Sequence, residues 1–326
     1  MTNIAIVKTD ARIQRCAIAN PFEHYKPEEE RNVKKFEVKE NNALKQLIGA
    51  LQHPSYGDFR NSGFYSDTTT EMYRQACSLT SKLKYSSTDI TNLSIVLATL
   101  KYEKRNSDLN EKPGLFLSAL INHCKEDNFT IITEYLEQSL YHLGYENTKN
   151  IVVVGNVHNI AYRMKCGTIT VKGDEIGESS VCQMKSGRVI IEGNVSRAIG
   201  RGMQGGTVIV KGNIRSEPGK CLMGGTIIIE GNCTTGYAGA GMESGLVVIK
   251  GNAGDYAGHS MKGGILIVNG NAGHHVGGDS SHQEEHNMNG GSIFLEGKYG
   301  SLGGGIKGGN IFHKGKQIVK NGKVLI

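Results

Sequence analysis

A glycine followed by a polar residue, usually asparagine, recurs at nearly constant spacing through the second half of this 326-residue chain. The pairs begin at Gly155, Gly173, Gly193, Gly212, Gly231, Gly251, Gly270, Gly297 and Gly315, in steps of 18 to 20 residues with one step of 27. A repeat unit this short cannot bury its own apolar face, so each unit must stack on its neighbour. The repeat therefore predicts a single-stranded parallel β-helix, a solenoid with coils of about 19 residues, over residues 151–326.

Each coil carries a short Val- and Ile-rich segment before its glycine pair, and these residue types favour strands. We expect inward or shared-ladder positions for Ile169, Ile190, Val208, Ile227, Val248 and Leu266. The glycine of each pair is expected at a corner with positive φ, and the following Asn or Asp should bond the next coil. Right-handed crossovers predominate between parallel strands, so a right-handed helix is expected.

Residues 1–150 have a different composition, with five of the 44 glycines. Helical patterns occur near 42–52, 70–84, 90–102, 115–124 and 130–143; in the last, Ile132, Leu136, Leu140 and Leu143 share one helical face. The predicted fold is therefore α+β with two domains: a small α-helical domain over 1–150, followed by the β-helix over 151–326. A solenoid needs its open end covered, so the helical domain is expected to act as a cap or a partner-docking module.

The seven cysteines form no CxxC pair, which argues against a disulfide framework or a zinc ribbon. The chain has neither a signal-peptide pattern at its start nor a run of about eighteen apolar residues. A cytoplasmic protein without a membrane partner is expected. Nucleic acid is not an expected partner either, because aromatic residues do not alternate with the basic ones.

The 27-residue step marks an insertion that is rich in potential metal ligands. It contains His274, His275, Asp279, His282 and His286, and His259 lies one coil earlier. Imidazoles and carboxylates can bind zinc or a similar divalent ion, and insertions on solenoid coils often carry function. These five residues are the candidate metal site, although a solvated polar loop is the favoured interpretation.

All of the net charge of +6 comes from the second half, which has 18 basic against 12 acidic residues. Several basic residues fall on adjacent coils, where equivalent positions stack into ladders. They form a candidate face for an anion or an acidic partner, with ordinary surface charge as the alternative: Arg188, Arg197, Arg201, Lys211 and Arg215.

Several glycine-rich strings carry a family resemblance: Ile199–Gly206, Gly236–Gly245 and Gly254–Gly258. They resemble the GXGXG β-helix domain, which forms the β-helical subunit of formylmethanofuran dehydrogenase and the C-terminal domain of the glutamate synthase large subunit. The resemblance covers residues 151–326 and implies a scaffold against which catalytic subunits pack. Position 2 is Thr, not the nucleophilic cysteine of a glutamine amidotransferase, so glutamate synthase activity by this chain is not implied.

The favoured hypothesis is a non-catalytic scaffold that docks onto catalytic subunits of a one-carbon or glutamate-synthase-like enzyme, with no cofactor of its own. One alternative is a free-standing metal-dependent hydrolase or lyase with its site in the 274–290 insertion. Another is a structural solenoid that associates with copies of itself.

Overall fold

The chain forms a β-solenoid of about nine turns, preceded by a small helical region. The structure is a computed structural model that describes residues 3–5, 37–56, 68–100, 111–279 and 286–325. The solenoid predicted from the glycine repeat is therefore confirmed. Within the described residues, no helix combines the length and the apolar character needed to cross a membrane.

Four helices form the helical region: α1 (Asn42–Leu51), α2 (Thr68–Thr80), α3 (Ser87–Val96, continued by a 3-10 turn at Leu97–Thr99) and α4 (Lys112–His123). They match the first four predicted helices. Helix α3 starts with a capping box, in which Ser86 accepts from the backbone N–H of Asp89 while the Asp89 carboxylate accepts from the backbone N–H of Ser86.

The strands, in chain order, are β1 (Asn3–Ala5), β2 (Glu37–Lys39), β3 (Asn128–Ile132), β4 (Leu140–Tyr141), β5 (Asn150–Val154), β6 (Val157–His158), β7 (Thr168–Lys172), β8 (Glu175–Ile176), β9 (Arg188–Ile191), β10 (Asn194–Val195), β11 (Thr207–Val210), β12 (Ile214–Ser216), β13 (Thr226–Ile229), β14 (Cys233–Gly236), β15 (Leu246–Ile249), β16 (Ala253–Asp255), β17 (Ile265–Val268), β18 (Asn289–Leu295), β19 (Gly308–His313), β20 (Lys316–Lys320) and β21 (Lys323–Val324). Strands β1 and β2 form a separate antiparallel pair.

One long sheet runs the length of the solenoid. Strands β3, β5, β7, β9, β11, β13, β15, β17, β18 and β19 pair in parallel in that order, and β20 and β21 continue the sheet as antiparallel strands. A second, shorter sheet contains β8, β10, β12, β14 and β16, and β4 pairs with β6. Each coil therefore contributes one long strand and, in most coils, one short strand.

The predicted helix near 130–143 is wrong. Residues Asn128–Ile132 form β3, which pairs in register with β5, so the parallel ladder starts before Ile151. Ile132, Leu140 and Leu143 are buried at successive positions around the first coil. Because the coil turns corners, residues that are three or four positions apart in sequence can all point into the same core. Their spacing therefore resembles that of residues on one face of a helix.

In the long-sheet strands from β3 to β17, the second and fourth residues point into the solenoid and the third points out. Ile227 and Ile229 are fully buried, for example, whereas Ile228 keeps part of its surface exposed. Of the six residues expected at inward or shared-ladder positions, Ile169, Val208, Ile227 and Leu266 are buried. Ile190 and Val248 lie instead on a shared outward ladder.

The positive φ expected for the glycine of each pair is present at Gly155 (113°) and Gly315 (76°), but not at the seven pair glycines between them, from Gly173 to Gly297. Gly231 does not have a positive φ; instead, an added Cβ would lie 2.6 Å from both Asn213 Oδ1 and the carbonyl oxygen of Gly212, one coil earlier. The predicted bond between coils is present, since the Asn232 backbone N–H donates to Asn213 Oδ1 at 2.8 Å. In such a pair, the glycine thus allows close contact with the preceding coil, and the asparagine forms a hydrogen bond between the coils.

The buried core is continuous from the helical region into the solenoid. Helix α3 packs along β3, where the hydroxyl of Ser94 accepts from the backbone N–H of Ile132 at 3.0 Å and Thr91 donates to the carbonyl of Thr130 at 2.7 Å. Six methionines at equivalent positions of different coils are fully buried in this core: Met164, Met184, Met203, Met242, Met261 and Met288. The six cysteines within the described ranges are free thiols.

Candidate functional site

The corner between the short strand of one coil and the long strand of the next has an unusual backbone in most coils. Three alternate residues there have positive φ, as in Tyr237, Gly239 and Gly241 at 59°, 65° and 63°. Glycine takes this left-handed conformation without steric cost, which explains the alternating glycines of the sequence. Because successive coils repeat the corner, side chains at equivalent positions lie directly above one another.

The first left-handed position carries aromatic rings in three consecutive coils. The rings of Tyr237 and Tyr256 stack with centroids 4.8 Å apart and planes 13° apart, and His275 stacks on Tyr256 at 5.1 Å and 19°. These separations match the distance between adjacent coils. We call Tyr237, Tyr256 and His275 the aromatic column.

Beside this column, His259, Asp279 and His286 converge, and we call them the histidine cluster. Their nearest potential ligand atoms all lie within 4.8 Å of one another. Asp279 Oδ2 is 2.9 Å from His286 Nδ1, and the rings of His259 and His286 are 5.3 Å apart between centroids. Two imidazoles and one carboxylate in this volume can bind a divalent metal ion.

The two histidines occupy the same position on adjacent coils. His259 lies two residues before the core residue Met261, and His286 lies two residues before Met288. The carbonyl of His286 accepts a hydrogen bond from the backbone N–H of Ser260 at 3.2 Å, which ties the two coils together at this point. The regular stacking of coils thus places the rings, and the insertion supplies Asp279.

Burial and charge both act on His259. Partial burial is the main cause that lowers its pKa, and the neighbouring His286 lowers the pKa further, whereas the carboxylate of Asp279 opposes the shift. The side chain of Asp279 is 17% exposed and that of His286 is 42% exposed, so the cluster is accessible from solvent on the His286 side.

The structure divides the five predicted metal residues into groups. Asp279 and His286 belong to the histidine cluster, whereas His275 is part of the aromatic column. His274 is exposed, and its backbone N–H donates to Asp255 Oδ1 at 2.7 Å. His282 lies outside the described residues. His259, which the sequence placed one coil earlier, completes the cluster because its coil stacks directly on the insertion.

The five basic residues predicted as an anion or partner face do not share one ladder. Arg188 begins a strand of the long sheet, whereas Arg215 lies in the second sheet. Lys211 pairs with Glu192 at 3.3 Å, and Arg197 pairs with Glu217 at 2.9 Å. Arg201, which is exposed, lies at the corner.

Glu217 shows how these charges are balanced within the chain. Burial is the largest influence on its carboxyl and by itself raises the pKa, but hydrogen bonds from Arg197 and Lys220 outweigh it, so the pKa is lowered overall. The carboxylate is therefore held in its charged form between two cations. Ion pairs within the chain therefore neutralise part of the positive charge in this region of the solenoid.

A feature that the sequence analysis missed is an apolar row on the outer face of the long sheet. One outward residue of each of seven consecutive strands is apolar and partly exposed, and we call these residues the apolar row: Ile190, Ile209, Ile228, Val248, Ile267, Phe294 and Phe312. The rings of Phe294 and Phe312 stack at 4.8 Å. Unbroken apolar strands, such as the four residues of Leu246–Ile249, are the signal that could have revealed it, because they are typical of sheets covered on both faces.

A row of charged residues borders the apolar row. Glu192, Lys211, Glu230 and Lys250 follow their strands in alternating sign, with Lys250 2.8 Å from Glu230. Exposed pairs of this kind contribute little stability but fix which charges face a neighbouring molecule. The outer face thus combines an apolar centre with one charged margin.

No protein-family model matches the chain, and a search of curated proteins finds no similar sequence.

Proposed function

We propose that this chain is a non-catalytic docking scaffold, whose long sheet binds another protein subunit through the apolar row. The observation that carries the proposal is the unbroken series of seven apolar outward residues, each partly exposed. Parallel sheets are usually covered on both faces, and contiguous exposed apolar surface marks protein–protein contact sites.

The dimensions of the row favour a helix as the docking element. Seven strands spaced about 4.8 Å apart make a row about 30 Å long. An α-helix of about twenty residues has the same length. The partner is therefore expected to present an amphipathic helix whose apolar stripe lies along the row.

The resemblance to GXGXG domains supplies the proposed context. The β-helical parts of formylmethanofuran dehydrogenase and of the glutamate synthase large subunit suggest a catalytic partner, in the first case one that handles one-carbon and formyl chemistry. In this proposal the solenoid is right-handed, the helical region is a separate capping domain, and the assembly is cytoplasmic.

Affinity purification of the tagged full-length chain from its native cells, followed by identification of the co-purifying chains, tests the proposal. Ile228→Lys places a charge in the middle of the apolar row and is expected to reduce partner recovery at least tenfold. Met223→Lys is the matched control, because Met223 belongs to the same coil and is 50% exposed but lies away from the row. Both variants should keep the wild-type circular dichroism spectrum.

Two results would contradict the proposal. Partner recovery unchanged by Ile228→Lys would move the docking surface elsewhere. A single species of twice the chain mass in light scattering, lost in Ile228→Lys, would make the partner a second copy and favour the self-associating solenoid.

The metal-dependent hydrolase or lyase remains the second candidate function, and the histidine cluster is the observation that favours it. Three protein ligands with one open coordination position are the usual arrangement of catalytic zinc. Hydrolytic activity that requires added metal, and that His259→Ala abolishes, would support this second function over a scaffold.

A further inference from the structure

The stack of coils stays regular on both sides of the insertion. Strands β17 and β18, on either side of it, pair in register from Ile265–Ser292 to Val268–Leu295. Asp279 and His286 are the residues of the insertion that lie directly before and after residues 280–285, and their side chains meet at 2.9 Å. These two residues of the insertion are therefore held together at the corner.

The preceding coil contributes a third residue to this place, His259, whose ring is held by its neighbours. His259 approaches from the coil below, and its ring meets Tyr237 and Tyr256 edge-on, with centroids 5.5 Å and 6.1 Å away. The hydroxyl of Ser260 lies 3.0 Å from His259 Nδ1. A hydrogen bond to one ring nitrogen and packing against the ring are the contacts that orient metal-binding histidines in proteins.

The distances suit a shared ion after small side-chain rotations. Donor atoms about 2.1 Å from a tetrahedral ion lie about 3.4 Å from one another. The Asp279–His286 contact of 2.9 Å is already close to that separation, and the largest separation in the cluster is no more than 4.8 Å. Rotation of the partly exposed His286 ring, or of Asp279, can close the difference without moving the backbone.

We propose that His259, Asp279 and His286 bind one divalent ion of the zinc class, which fastens the insertion to the preceding coil. Two imidazoles and one carboxylate prefer zinc or a neighbouring transition metal over magnesium or calcium, whose ligands are mainly oxygens. Three protein ligands leave one position of a tetrahedral ion for water or a ligand. The site is independent of the apolar row and does not require the proposed docking function.

The test uses the full-length protein, stripped with a chelator and titrated with Zn²⁺ in a calorimeter. We expect about one ion per chain, and at least tenfold weaker binding in His259→Ala and in Asp279→Asn. His274→Ala is the matched control, since it removes an exposed histidine five residues from Asp279 that lies outside the cluster. It should bind as tightly as the wild type.

Replacement of Zn²⁺ by Co²⁺ gives a direct readout of the ligands. The bound Co²⁺ should show visible absorption bands that His259→Ala abolishes and His274→Ala preserves. Because a metal bound only by the folded state stabilises it, Zn²⁺ should raise the melting temperature of the wild type and of His274→Ala but not of His259→Ala.

Circular dichroism of the metal-free variants checks that each one folds; if His259→Ala does not, His259→Gln takes its place. Absence of stoichiometric Zn²⁺ binding by the wild type would overturn the proposal. Undiminished binding by a folded His259 variant would also overturn it, because the ion would then not link the two coils.

Discussion

At the scale of single residues, the glycine repeat satisfies two separate physical requirements. Gly225, which immediately precedes its strand, has a φ of +84°, in the left-handed region that glycine enters readily. Gly231, which follows the same strand, is required because the backbone of the preceding coil leaves no room for a Cβ. The spacing of the repeat revealed the solenoid, but spacing alone could not assign these two roles.

Gly231→Ala is therefore expected to destabilise the protein by steric overlap. The new methyl group would lie 2.6 Å from two oxygen atoms of the preceding coil, and overpacking of this kind costs about 1–3 kcal/mol. Gly49→Ala is the control, since Gly49 is exposed on α1 and has nothing within 4 Å of an added Cβ. It should raise stability by up to about 1 kcal/mol.

Urea denaturation measures both changes in the free energy of unfolding. If Gly231→Ala differed from the wild type by less than about 0.5 kcal/mol, the close stacking of coils at this glycine would be disproved.

At the scale of elements, sequence reasoning succeeded where a pattern repeats and failed where it does not. The strands before the Gly-Asn pairs were predicted correctly because each one is supported by equivalent strands in other coils. Strand β3 has no such pair after it; Thr133 follows Ile132 in place of a glycine. With that signal missing, the spacing of Leu136, Leu140 and Leu143 imitates a helical face.

The candidate site was predictable only in part, for a related reason. The insertion is visible in the sequence as a longer spacing between two glycine pairs, so Asp279 and His286 could be predicted as candidate metal ligands. Which residues meet there depends on the stacking of coils, which brings in His259 and sends His275 to the aromatic column. Sequence distance does not encode that geometry until the register of the coils is known.

The alternation within a strand predicts unequal effects of neighbouring substitutions. Ile229 is fully buried and Ile228 faces outward in the apolar row, although both belong to β13. Ile229→Ala should leave a cavity and cost about 2–5 kcal/mol. Ile228→Ala should cost about 1 kcal/mol or less, because its side chain is already partly exposed.

The midpoint of guanidinium denaturation, at an unchanged m-value, is the appropriate measurement for this pair. Ile227→Ala, the other inward position of β13, should resemble Ile229→Ala. Equal losses at positions 228 and 229 would mean that the outward face is covered within the chain itself, and would remove the basis of the docking proposal.

At the scale of the whole molecule, the parallel ladder needs protection at both ends, because an open edge strand offers unpaired backbone groups to other chains. After β19 the ladder passes into the antiparallel strands β20 and β21. Before β3 it meets helix α3, whose Thr91 and Ser94 bond the backbone of β3 directly. Hydroxyl side chains thus replace the missing neighbouring strand at this end.

Ser94 is the residue on which this arrangement depends most. Its hydroxyl is fully buried, accepts from the backbone N–H of Ile132 at 3.0 Å and donates to the carbonyl of Thr91 at 2.7 Å. Ser94→Ala would leave a buried N–H without this acceptor, at a cost of about 1–3 kcal/mol. Ser81→Ala removes an exposed hydroxyl from the end of α2 and should change stability by less than about 0.5 kcal/mol.

Hydrogen exchange localises the effect of Ser94→Ala. The Ile132 amide and its neighbours in β3 should exchange faster in the variant than in the wild type. The exchange rates of amides in central strands such as β13 should change only as much as the global stability of the protein changes. Unchanged exchange at Ile132 would show that α3 does not protect the edge of the ladder. The helical region would then need another role than capping the solenoid, because the backbone of β3 would be satisfied without it.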